Sequence, residues 1–148
     1  MTRQELVDSG HLVFRKASQK SDLLDPNKTN NGLIAYLSQL LGQFGHHLEV
    51  TAVNTDHPTN DGGPNGRGHN AGCAIDGWPL ASAKAGDFLD GATAEFRTFL
   101  QHAAVSHPLL QIGLVGDGAD SHANFVAAGK TAFQDDGGAH VHLGAGKL

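Results

Sequence analysis

The 148-residue chain is long enough to enclose a core as one domain spanning residues 1–148, and its 39% hydrophobic and 17% charged residues suit neither a disordered nor a membrane-spanning chain. Its 10 Lys and Arg against 15 Asp and Glu give a formal charge of -5 with no basic run, which argues against a phosphate-tracking surface and against nucleic acid as a partner. Cys73, the single cysteine, excludes an internal disulfide framework and a Cys-rich zinc knuckle and reads as a small buried apolar residue.

In chain order, the opening MTRQELVDSG lacks the apolar core of a secretory signal, and no stretch approaches the ~20 apolar residues that span a bilayer. Residues 12–18 have the β-branched and aromatic character of a short strand. From Asn31, the residues Leu33, Ile34, Leu37, Leu40, Leu41 and Phe44 recur at helical spacing, with Asn30 or Asn31 as N-cap and Gly45 as a stop. Residues 48–54 alternate as a strand. Residues 56–68 carry so many turn formers that a long loop is expected, and residues 72–77 follow as a short strand. A second helix is expected from Asp87, as its cap, to Ala104, with Phe88, Leu89, Ala92, Phe96, Leu100 and Ala103 on one face and Pro108 closing it. Residues 109–115 read as a buried strand, 121–128 as a short helix and 139–143 as a last strand. This order predicts an α+β domain with an antiparallel sheet around Gly-rich loops, since 13 of the 20 glycines fall in 61–77, 113–118 and 137–146.

Two segments carry metal-ligand chemistry. His69-Asn-Ala-Gly-Cys-Ala-Ile-Asp76 places an imidazole at the end of a loop and a carboxylate on the next strand, with Ile75 turned toward the core. In His140-Val141-His142 the two imidazoles share one strand face and Val141 anchors the other. Two histidines and one aspartate, His69, Asp76 and His142, suit one Zn²⁺ per chain with a coordination position left for water. His140 would either ligate the ion or hydrogen-bond a developing oxyanion, and is assigned the second role. Asp136, at a Gly-Gly turn, lies where a general base is needed, with Asp135 as its competitor. Taken one at a time these groups have plainer readings. A strand histidine is usually a polar surface residue, and His11, His46, His47, His102, His107 and His122 are left as such. Asp135 and Asp136 alone would form a solvated turn, and Asp56 and His57 could line the cleft but as loop residues are usually only solvated. Asp117-Gly-Ala-Asp120 begins like a calcium loop but lacks its glutamate. No HExxH, GxSxG or P-loop pattern occurs.

The match to HxxGxAxD at 69–76, followed by an acidic residue, three positions and HxH at 136–142, resembles the zinc D-alanyl-D-alanine peptidases, the related phage endolysin peptidases and the hedgehog signalling domain that shares their fold. The resemblance implies a small antiparallel sheet with helices packed on one side. It also implies zinc on His69, Asp76 and His142, Asp136 as catalytic base, and His140 as stabiliser of the transition state. The implied activity is hydrolysis of a peptide bond in peptidoglycan cross-links or stem peptides by a phage or bacterial cell-wall hydrolase. Such an enzyme would be made in the cytoplasm and carried by a virion or released to the wall. The chain departs from the pattern at two places. Arg67 stands where members acting on D-alanyl termini usually have serine, and Val53-Asn-Thr-Asp-His57 replaces a segment with a carboxylate-holding arginine. Arg67 is then the candidate anion-binding group for substrate, since a guanidinium pairs well with carboxylate. A metal-containing binding module without hydrolysis is the alternative, as the hedgehog relatives illustrate.

Overall fold

The structure, a computed structural model, describes residues 1–56, 69, 72–91, 93–106, 111–115, 132–133 and 140–144. The short helix expected at 121–128, the loop beyond residue 56 and the calcium-like segment at 117–120 lie outside these residues, as do His57, Arg67, His107, His122, Asp135 and Asp136.

The described residues form an α+β fold. Helix α1 (Arg3–Asp8) starts with a capping box in which Thr2 Oγ1 accepts from the Glu5 amide and Glu5 accepts from the Thr2 amide, at 3.1 and 2.7 Å. Strand β1 is Leu12–Phe14, shorter than expected because the chain turns into helix α2 (Ala17–Leu24). Helix α3 (Asn31–Leu37) begins as expected: the Asn30 side chain accepts from the Gly32 amide at 2.8 Å. It runs on as a π-helical stretch over Ser38–Gln43 and stops before Gly45, whose φ of 74° suits glycine. Strand β2 (His47–Ala52) and strand β3 (Ala74–Leu80) follow, then helix α4 (Ala94–Val105) and strands β4 (Gln111–Val115), β5 (Ala132–Phe133) and β6 (His140–Gly144).

The second helix starts later than expected. Thr93, not Asp87, is its cap, with the Phe96 amide on Thr93 Oγ1 at 3.3 Å. Residues 87–89 are instead drawn to the end of β3. There the Leu89 amide donates to the Pro79 carbonyl at 2.9 Å, and the Asp87 carboxylate accepts from Ser82 at 2.7 Å. Phe96, Phe99, Leu100 and Ala103 form the buried face, while Phe88 is exposed.

Among the described residues the sheet has six strands in the order β1-β2-β3-β6-β4-β5. The four inner strands pair antiparallel, as expected, but β1 with β2 and β4 with β5 pair parallel, so the sheet is mixed. For β1 and β2 the cause is the connection: α2 and α3 lie between them, and a helical crossover returns the chain in the same direction. Leu48 and Val50 of β2, Ile75 of β3, and Val141 and Leu143 of β6 share one core with Leu33, Tyr36, Leu37, Leu40 and Leu41 and with the buried face of α4. Cys73 is fully buried, as read from the sequence. No helix among the described residues is long and apolar enough to cross a membrane.

Four histidines left aside by the sequence reading gather at the far end of β2. His46 Nε2 and His102 Nδ1 lie 2.7 Å apart, and His11 stacks on His47 with ring centroids 4.9 Å apart. Burial first, then the neighbouring His102 and His47, depresses the pKa of His46 from 6.5 to about 4. The folded chain therefore binds a proton at His46 less readily than the unfolded chain, and this contribution to stability is present above pH ~6.5 and lost as pH falls toward ~4. Urea unfolding at pH 7, 5.5 and 4.5 is expected to show a steeper acid loss in the wild type than in His46→Gln. Parallel pH profiles would remove His46 as a source of the loss.

Candidate metal centre

Backbone pairing places two of the three sequence-nominated ligands. Asp76 and His142 are directly opposed across β3 and β6, and their neighbours Ile75 and Leu143 are likewise paired and enter the core. Because successive strand residues alternate between faces, a core-facing Ile75 and Val141 require Asp76, His140 and His142 to share the other face. The apolar residues of GCAID and HVH thus aim the ligands.

His69 reaches the same place from a loop. The Gly72 amide donates to the His69 carbonyl at 2.9 Å, and the Asn30 amide donates to the Gly72 carbonyl at 2.6 Å, pinning the loop to the start of α3. Gly72 has φ 72°, and a Cβ there would lie 2.8 Å from the Lys28 carbonyl oxygen, so both conformation and space require glycine. The wall it meets is itself fixed by Arg3, whose guanidinium donates to the Leu23 carbonyl at 2.9 Å and to Thr29 Oγ1 at 2.6 Å.

The three side chains converge on one point. Asp76 Oδ1 lies 3.1 Å from His69 Nε2 and 3.0 Å from His142 Nδ1, and the two ring nitrogens are 3.3 Å apart. His69, Asp76 and His142 are buried and offer one donor atom each, a group that could hold a metal ion. The outer nitrogen of His69, Nδ1, lies 2.5 Å from the Val53 carbonyl oxygen. A carbonyl only accepts, so Nδ1 carries a proton; with a metal bound Nε2 would turn its lone pair on the ion, and without one a second proton on Nε2 lets the ring donate to Asp76. Burial alone would raise the pKa of Asp76, but hydrogen bonds from His142 and His69 and the charge on those rings outweigh it and hold the carboxyl well below its usual range. The pair of imidazoles thus favours a carboxylate, the form that ligates a cation.

His140 lies beside this group and outside it, with Nε2 3.4 Å from Asp76 Oδ2. Arg67, Asp135 and Asp136 lie outside the described residues, so the geometry speaks only of the ligand set and His140. Sequence reasoning missed Val53, which acts through its backbone and has no side-chain signature. It also took Asp56 for a solvated loop residue, whereas its carboxylate accepts from the Val53 amide at 2.9 Å and from Gln19 at 3.0 Å. A pocket of about 370 Å³ lined in part by His46, His47, Leu80 and Glu95 sits elsewhere, at the His47–Leu80 end of the β2–β3 pair. Comparison with known proteins leaves this reading to the residues themselves: no protein-family model, no curated protein and no solved structure matches the chain.

Proposed function

We propose that the chain is a zinc-dependent peptidase acting on a peptide of the bacterial cell wall, with the hedgehog and D-alanyl-D-alanine-peptidase type of fold. The observation that carries the metal part of this reading is the convergence of His69 Nε2, Asp76 Oδ1 and His142 Nδ1 within 3.0–3.3 Å of one another from segments far apart in sequence. Ligand bonds of about 2.0–2.1 Å in a tetrahedral shell put neighbouring ligand atoms about 3.3 Å apart, and an N₂O set suits zinc. A zinc ion held there would supply Lewis acidity, bringing the pKa of water to about 7 and polarising a carbonyl.

The remaining roles fall to side chains. Asp136 takes the proton of the attacking water and returns it to the leaving amine, and His140 donates a hydrogen bond to the oxygen that gains charge. Arg67 pairs with a substrate carboxylate. Cell-wall peptide is the proposed substrate because the HxxGxAxD and HxH resemblance points there, and the assignment to a phage or prophage lysis enzyme rests on the same analogy.

Asp136→Ala is expected to keep about one zinc per chain and to lose turnover by about 10²- to 10⁴-fold, the usual share of a general base. Metal content by plasma mass spectrometry and new amino termini in a muropeptide digest read the two quantities separately. Undiminished turnover in this variant would take the base role away from Asp136. The near-complete burial of His69, Asp76 and His142 favours a second reading, a module that holds metal without hydrolysis. A zinc-loaded wild type that releases no new termini from any cell-wall preparation would establish it over the first.

A further inference from the structure

The Val53 carbonyl that orients His69 belongs to a turn whose backbone is held almost entirely by carboxylates. The amides of Val53, Asn54 and Thr55 are three consecutive donors. The first donates to Asp56 Oδ1 at 2.9 Å, and the other two donate to Asp22 Oδ2 at 3.3 and 2.7 Å. Thr55 Oγ1 donates to the second Asp22 oxygen at 2.8 Å. Gln19, one helical turn before Asp22 on α2, is fully buried. Its Nε2 donates to the Thr51 carbonyl at 3.1 Å and to Asp56 Oδ2 at 3.0 Å. Its Oε1 accepts from the amides of Arg15 and Lys16 at 2.9 and 3.1 Å, so the side chain has no freedom to turn away.

This is dense polar fixation for a short turn at a strand end, and it converges on a carbonyl that touches a nominated ligand. We infer that Asp56, Asp22 and Gln19 are positioning residues for the metal centre, acting through the Val53 carbonyl on the ring orientation and tautomer of His69. The inference rests on His69, Asp76 and His142 holding a metal. Residues two hydrogen bonds removed from a ligand matter because a ligand ring free to rotate or to change tautomer must be ordered again each time metal binds.

Zinc affinity of the full chain, measured by chelator competition, and the visible spectrum of the cobalt(II)-loaded chain test it. Asp56→Ala is expected to weaken zinc binding about 10- to 100-fold and to shift the cobalt bands. Asp56→Asn keeps an acceptor oxygen for the Val53 amide but sets its amide nitrogen against the donating Gln19 Nε2, so it should recover part of the affinity. Thr55→Val, a milder change at an exposed residue, should weaken binding in the same direction and covers the case in which Asp56→Ala does not fold. Thr93→Ala removes the cap of α4 and serves as the stability control: its melting temperature should drop while its zinc affinity stays at the wild-type value. Wild-type affinity with unchanged cobalt bands in Asp56→Ala or Thr55→Val would overturn the inference, as would an equal loss of affinity in Thr93→Ala. A wild-type chain that takes up no zinc would remove the metal centre itself, a failure read from a different sample.

Discussion

His142→Ala is expected to lose bound metal and turnover together. Structural zinc contributes about 10–16 kcal/mol through four ligands, so one ligand accounts for about 2.5–4 kcal/mol, or about 60- to 700-fold in affinity. Plasma mass spectrometry of chain purified without chelator should find about one zinc in the wild type and none in the variant. A thermal melt gives a second readout: zinc at 100 times its Kd should stabilise the wild type by about 2.7 kcal/mol and leave the variant unmoved. A variant that retains one zinc per chain, or that melts higher on adding zinc, would remove His142 from the ligand set.

Gly72→Ala should be the most damaging single-methyl change near the site. The left-handed conformation costs a non-glycine residue about 1–2 kcal/mol, and the added Cβ presses on backbone at Lys28, Thr29 and Asn30, which Arg3 prevents from yielding. A total of about 2–4 kcal/mol lowers the melting temperature by roughly 10 °C in a domain of this size. Gly10→Ala is the comparison, since Gly10 has φ 79° but nothing within 4 Å of its would-be Cβ, so it incurs the conformational cost alone. Because the Gly72 amide holds the His69 carbonyl, the displacement should also weaken zinc uptake, which Gly10→Ala should leave alone. Equal melting temperatures for the two variants would show that the wall at 28–30 gives way.

What the sequence discloses and what it hides follow from how each feature is encoded. That Asp76 and His142 share a face was legible because strand alternation ties Ile75 and Val141 to the core. The Asn30 cap and the strand at His47–Ala52 were legible for the same local reasons. The capping box at Thr2 and Glu5 carried a signal that went unread. Helix α2, with the sequence ASQKSDLL, has little apolar periodicity because two of its buried residues, Gln19 and Asp22, face polar partners. Asp87 resembled a cap until the pairing of Leu89 with Pro79 showed that the chain there follows a strand. The parallel outer pairs and the His46–His102 contact depend on residues distant in sequence, which no local pattern reports.

The position of β6 in the sheet has a temporal side. The strand that supplies His140 and His142 is the latest of the six in the chain, yet it lies between β3 and β4 rather than at an edge. His69 and His142 are 73 residues apart, so at about 5–20 residues per second a ribosome leaves the first ligands waiting roughly 4–15 s for the last. During that interval the growing chain holds His69 and Asp76 without the third member of the candidate group. A site that needs His142 could take up metal only once this strand has joined the sheet.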